Sequence, residues 1–220
     1  MTHPWNTRPS GLDIPAHWPA DEETREFLED HFWSLLVRGE SDAAAYLDAV
    51  EDEAPDVDED EAAAYVDSLI AWRRAQLADL GARPTSRLTE AFAELATIGV
   101  IAREDFSCCG TCGHAEIGEE LDVQPGARGF VYYHEQDTER LVADRATYIG
   151  YGVFLGAYLS EEEWEALSEA EQSATYERLT VALMRDEVIP LLRRHGIGVE
   201  WNEELSTRIL LTDVDFFASI

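Results

Sequence analysis

The chain contains no lysine: all 16 of its basic residues are arginine, set against 46 aspartates and glutamates. The resulting formal charge of −30 repels phosphate backbones and anionic lipid head groups. Nucleic-acid binding and membrane-surface binding are therefore not expected, and a basic protein partner is favoured. Long apolar runs are missing as well. The longest mostly apolar stretch, Gly150 to Leu159, is about half of the roughly 20 residues needed to cross a bilayer. The first twenty residues hold Pro4, Pro9, Pro15 and Pro19 among polar neighbours and lack the basic start and apolar stretch of a secretory signal. Cysteine is scarce, with Cys108, Cys109 and Cys112 the only three. An odd cluster of this kind does not staple a secreted domain, so free thiols in a reducing cytoplasm are expected.

What is present is enough apolar residue, 45% of 220 positions, to bury one large or two small cores. The pattern predicts an α+β protein: a helical N-terminal region with an extended arm over residues 1–84, then a mixed α/β domain with a small sheet over 85–220. Four prolines keep the arm from becoming a helix, and Trp5 and Trp18 are placed to anchor it. Three helices follow between Asp21 and Gly81, with apolar residues at three- and four-residue steps (Phe27, Phe32, Leu35, Leu36; Val66, Leu69, Ile70, Leu77). Ser41 is the predicted cap of the second, and Asp58 with Glu61 the predicted capping box of the third. Between them, eight of the eleven residues from Glu51 to Glu61 are acidic, which reads as a solvated loop or helix start. A calcium loop is disfavoured there because Glu61 stands where such a loop needs glycine.

Beyond Pro84, Ser86 or Thr85 opens a helix with Leu88, Ala91, Phe92 and Leu95 on one face. Strands are predicted at Gly99–Ala102, Gly129–His134 and Tyr148–Leu155, and a terminal hairpin pairs Gly198–Trp201 with Arg208–Thr212. Two capping boxes, Ser160 with Glu163 and Ser168 with Glu171, open a short helix and a long one that Pro190 should kink. Arg73–Arg74 and Arg193–Arg194 read as surface ion-pair partners rather than an anion site.

Two stretches carry chemistry. Phe106-Ser107-Cys108-Cys109-Gly110-Thr111-Cys112-Gly113-His114 concentrates three thiols and an imidazole in one glycine-flexed turn. Cys109 and Cys112 have the two-residue spacing that grips zinc, with His114 or the distant His134 available to complete a tetrahedral shell. The same pair, placed after a strand and before a helix, also suits redox chemistry, although acidic neighbours raise a thiol pKa; packing beneath the turn is the third reading. The second stretch, Tyr132-Tyr133-His134-Glu135-Gln136-Asp137-Thr138-Glu139, ends a strand with groups able to act as a general base and its partner. Its plainer reading has Asp137 capping a short helix while the others are solvated.

These two stretches, with Tyr151-Gly152 and Val199-Glu200-Trp201, resemble a family of uncharacterised bacterial proteins defined as a domain of unknown function, over roughly Ser86 to Thr212. The resemblance implies no activity or binding residue. The residues themselves point to a cytoplasmic binding or regulatory protein with an acidic surface. The alternative is a thiol- or zinc-dependent enzyme centred on Cys109, Cys112 and His134.

Overall fold

The computed structural model describes residues 3–9 and 12–220. They form two compact units, one comprising Met1–Pro84 with Phe217–Ile220 and the other Thr85–Phe216. With helices dominating the first and a five-stranded sheet in the second, the protein is α+β, as its pattern predicts.

Among the described residues the first unit is an assembly of three α-helices bound by its proline-rich arm. Helix α1 (Glu22–Arg38) opens on Asp21, whose carboxylate accepts from the Thr24 N–H at 2.9 Å. Helix α2 (Ala43–Glu53) is capped by Asp42, one residue later than Ser41; the carboxylate, accepting from Ala44 at 3.0 Å, also carries the charge that a helix start favours. Helix α3 (Glu59–Leu80) is capped by Asp58 as expected, but Glu61 does not turn back to complete a box. Its carboxylate is drawn off by the arm, accepting from Trp18 Nε1 at 2.8 Å and contacting His17. Trp5 and Trp18 are each only 3% exposed, so the arm is anchored as predicted. The chain's last residues join it: Trp5 Nε1 donates to the Ala218 carbonyl at 2.9 Å, and the His3 ring meets Phe217 edge-on at 4.9 Å. Leu28, Phe32, Leu36, Tyr46 and Val66 fill the core between the helices.

Arg73 departs from its predicted surface role. It is fully buried, donating to the Trp5 carbonyl at 2.9 Å and to Gln76 Oε1 at 2.6 Å, with its guanidinium 5.2 Å from the Trp33 ring centre. Burial lowers its pKa to about 10. The arm creates this environment by laying a backbone carbonyl over the helix, a tertiary event that helical periodicity alone does not carry.

In the second unit the strands run β1 (Val100–Arg103), β2 (Gly129–Tyr132), β3 (Thr147–Val153), β4 (Gly198–Glu200) and β5 (Ile209–Thr212), and lie side by side in the order β1-β2-β3-β5-β4. Among the described residues only β1 and β2 pair in parallel; β4 and β5 form the expected terminal hairpin. Alternation sorts the sheet's residues onto two faces. Val100, Val131, Ile149, Ile209 and Leu211 pack in a larger core with helix α4 (Arg87–Thr97), helix α8 (Glu169–Leu183) and helix α9 (Ile189–Arg194). Ile101, Phe130 and Tyr132 form a smaller cluster with Ile117 and Ala127. Both capping boxes are present, Ser160 opening α7 (Glu161–Glu165) and Ser168 opening α8. Pro190 sits at the start of α9, directly after a π-helical stretch, Met184–Val188, that separates it from α8, so its missing N–H falls where the regular α-helical ladder is already interrupted. Among the described residues, no helix is long and apolar enough to cross a membrane.

Replacing Arg73 by alanine removes two hydrogen bonds and a large buried side chain, so the first unit should lose about 3 kcal/mol. Urea unfolding followed by tryptophan fluorescence checks this, since Trp5, Trp18, Trp33 and Trp72 all lie in that unit.

Candidate functional site

The two chemically dense stretches, separate in sequence, are laced together. The Phe106 N–H donates to the Tyr133 carbonyl at 2.8 Å, and the Glu135 N–H to the Ser107 carbonyl at 3.2 Å. Tyr133 Oη donates to Glu104 at 3.1 Å, and the Thr138 hydroxyl donates to Asp105. The chain enters the cysteine turn through two left-handed residues, Asp105 (φ 51°) and Ser107 (φ 64°), a conformation that costs free energy for any residue but glycine. Both are held in it by these cross-links.

The turn leads into helix α5 (Gly110–Glu116), which starts four residues ahead of His114, with Cys109 at its cap. Tyr132 seats this helix. Its hydroxyl donates to the Gly110 carbonyl at 2.9 Å, and its ring lies so close to Gly113 that an added Cβ there would meet Cε2 at 2.6 Å. On β3, Gly150 and Gly152 are the register partners of Tyr132 and Phe130, and the two rings lie against these glycines: a Cβ on either would come within 3 Å of its ring. Aromatic residues on one strand over glycines on the next make a thin, firm floor beneath the turn.

The structure brings Cys109 and Cys112 together and adds Cys108, which pair spacing alone does not select. All three are free thiols, and their sulfurs lie within 4.8 Å of one another. Cys108 is exposed; Cys109 and Cys112 are half-buried. The Cys109 thiol is held below its usual pKa, chiefly by the Cys112 backbone N–H, with the Cys112 thiol and the Thr111 N–H helping. The Cys112 thiol is pushed up to about 11 by its hydrogen bonds with Cys108 and Cys109 and by their charge. The first negative charge on the cluster is therefore favoured on Cys109, and further ionisation is opposed by the neighbouring sulfurs. A bound cation is what relieves that opposition.

The two histidines lie outside the sulfur group. The His114 ring packs edge-on against Phe130 with centres 5.9 Å apart. His134 is 6% exposed, so it is not solvated as the plainer reading has it. Its Nε2 lies 3.0 Å from Asp137 Oδ2 and 3.4 Å from where a Gly110 Cβ would sit, and its Nδ1 is buried without a partner among the described residues. Asp137, equally buried, turns back to accept from the His134 backbone N–H at 3.3 Å, at the start of α6 (Glu135–Asp144). It also receives Arg208 through both Nη atoms, Nη1 at 2.9 Å. Arg208, 71 residues further along, is the one member of this network that no local motif announces; only the pairing of β5 with β3 delivers it.

Burial lowers the His134 pKa, with Arg208 adding to that and Asp137 opposing it. The folded protein therefore prefers the neutral imidazole. Stability from this source is complete above the unfolded value of about 6.5 and falls as the pH drops through 6.5 towards the folded pKa. Urea midpoints compared between pH 8 and pH 5 should fall further for the native protein than for His134→Gln; equal falls in the two would contradict this assignment.

No curated protein and no solved structure matches the chain. Residues 20–217 match the family described as "Domain of unknown function (DUF6891)". That span takes in the helical unit as well as the sheet, more than the resemblance over 86–212 covers. With the cysteine turn and the His134–Asp137 strand end joined inside it, the chain belongs to this family.

Proposed function

We propose that the protein is a metal-binding regulatory protein of the cytoplasm, in which Cys108, Cys109 and Cys112 take a soft divalent ion, zinc foremost. The observation that carries this is the convergence of three sulfurs within 4.8 Å. A tetrahedral zinc with Zn–S bonds of about 2.3 Å needs sulfurs about 3.8 Å apart, a separation that lies inside the 4.8 Å span of the cluster. The ion would supply the positive charge that lets all three thiols ionise, and its binding would release their protons. Three protein sulfurs leave a fourth position for water, an incoming group or an imidazole. His114 and His134 are the candidates on the sequence pattern, each needing to leave its present contacts. Such an open position is also what the enzyme alternative requires, with zinc or the Cys109 thiolate as the reacting centre.

Elemental analysis of protein purified without added reductant should find about one zinc per chain, and free-thiol titration should find the cysteines protected until the metal is chelated. Cys112→Ser should weaken zinc binding on the order of 100-fold or more. A metal-free protein carrying a Cys109–Cys112 disulfide would instead favour redox chemistry and defeat the metal reading.

A second reading rests on a different observation. From Glu51 to Asp60 the acidic residues are all exposed, and among the described residues none of them has an ion-pair partner. An uncompensated acidic edge suits a basic protein partner, whose association would be steered by charge. Polyarginine peptide titrated against the protein should bind tenfold or more weaker at 0.5 M than at 0.05 M salt, and more weakly to a variant with Glu51, Asp52, Glu53 and Asp56 changed to glutamine or asparagine.

A further inference from the structure

We propose that the cleft beside the cysteine turn is a binding site for a small aromatic monoanion, a carboxylate being the simplest. The cleft encloses about 390 Å³, in the size range of small-molecule sites. Its walls are the rings of Tyr132, Tyr151 and Tyr176, the imidazole of His114, and the segment Leu205–Arg208. Gly110 and Gly150 leave backbone where side chains would fill the space. In a chain with 46 carboxylates, this lining contains none. Two clefts of the helical unit differ: Glu51 and Glu59 line one, and Asp13 lines the other. Screening confines the field of distant acids to about 8 Å at physiological salt, so the local cation decides what charge the cleft accepts.

That cation is Arg208. Three of its hydrogen bonds go to the two Asp137 oxygens and to the Tyr148 carbonyl, the last at 2.6 Å, and its guanidinium lies 5.7 Å from the Tyr148 ring centre. A guanidinium has five N–H donors, so Nε–H and one Nη1–H remain on opposite edges of the group, and one of them can serve a ligand acceptor. Asp137 already offsets the Arg208 charge, so the pair carries no net charge and tolerates one ligand charge better than two, with the anion held by the guanidinium's unspent N–H rather than by a net field. The remaining lining is ordered in advance: Tyr132 is tied to the Gly110 carbonyl, and Tyr151 Oη donates to the Thr207 carbonyl at 2.8 Å while accepting from Trp201 Nε1 at 2.9 Å. The Tyr176 hydroxyl has no hydrogen-bond partner among the described residues and is left to serve a polar group on the ligand ring. Rigid aromatic walls with few unspent donors are what hold a flat, singly charged molecule in place.

The site does not rest on the metal reading, because no cysteine lines the cleft. The probe is 4-hydroxybenzoate, titrated by calorimetry or ligand-observed NMR in the presence of a chelator, with the uncharged 4-hydroxybenzamide as its control. The expected result is saturable one-site binding of the acid. The amide should bind about tenfold weaker or less well still, as should the acid to Tyr176→Ala and to Arg208→Gln. The Tyr176 side chain makes no hydrogen bond among the described residues and belongs to α8 rather than to the Arg208–Asp137 pair, so its variant remains informative if loss of Arg208 disturbs Asp137. Absence of saturable binding, equal binding of acid and amide, or undiminished binding by Tyr176→Ala overturns the proposal.

Discussion

The second unit turns on one buried carboxylate. Asp137 receives the backbone N–H that opens α6, stands 3.0 Å from the His134 imidazole and holds the Arg208 guanidinium. Taking a carboxylate out of water is costly, and it is tolerated here because its oxygens meet a cation, a helix-start N–H and an imidazole. In return it fixes three things at once: the strand end after β2, the ring that lies against Gly110, and the arginine that lines the cleft. Loss of Arg208 or His134 leaves the buried Asp137 carboxylate with less compensation, which couples the strand end after β2 to the segment that carries Arg208.

The cysteine turn depends on this frame in a second way, through Tyr132. A ring on β2 can reach beneath α5 only because Gly150 on β3 and Gly113 on the helix both lack a Cβ. The tyrosine hydroxyl then fixes the Gly110 carbonyl, and the backbone N–H groups of Thr111 and Cys112 are left to stabilise the Cys109 thiolate. Sheet packing, helix seating and thiol chemistry are thus consecutive consequences of glycines placed opposite aromatics. The helical unit shares none of this machinery: its core is closed by an arm whose tryptophans and carbonyls satisfy Glu61 and Arg73.

Much of this could be read from the residues because it is local. The Ser160 and Ser168 boxes, the apolar face of α4 and the terminal hairpin follow from spacings of two, three and four residues, which short-range sterics and hydrogen bonding enforce. The vicinity of Cys109 and Cys112 was legible for the same reason. What escaped was set by long-range contact. Glu61 abandons its box for Trp18, 43 residues earlier, and Arg73 is buried by an arm carbonyl 68 residues away. Arg208 reaches Asp137 across 71 residues. The third sulfur, Cys108, is a different case: the chain reaches it through left-handed residues at 105 and 107, and neither is a glycine whose presence would have signalled the bend.

In the proposed site the three sulfurs of one turn form a single ligand set. The most direct measurement is X-ray absorption at the zinc edge on the zinc-loaded protein. Three sulfur scatterers at about 2.3 Å, with one lighter atom completing the shell, are the predicted result. A shell made mainly of nitrogen and oxygen, or one that keeps its sulfur count when Cys108 is replaced by serine, would contradict it.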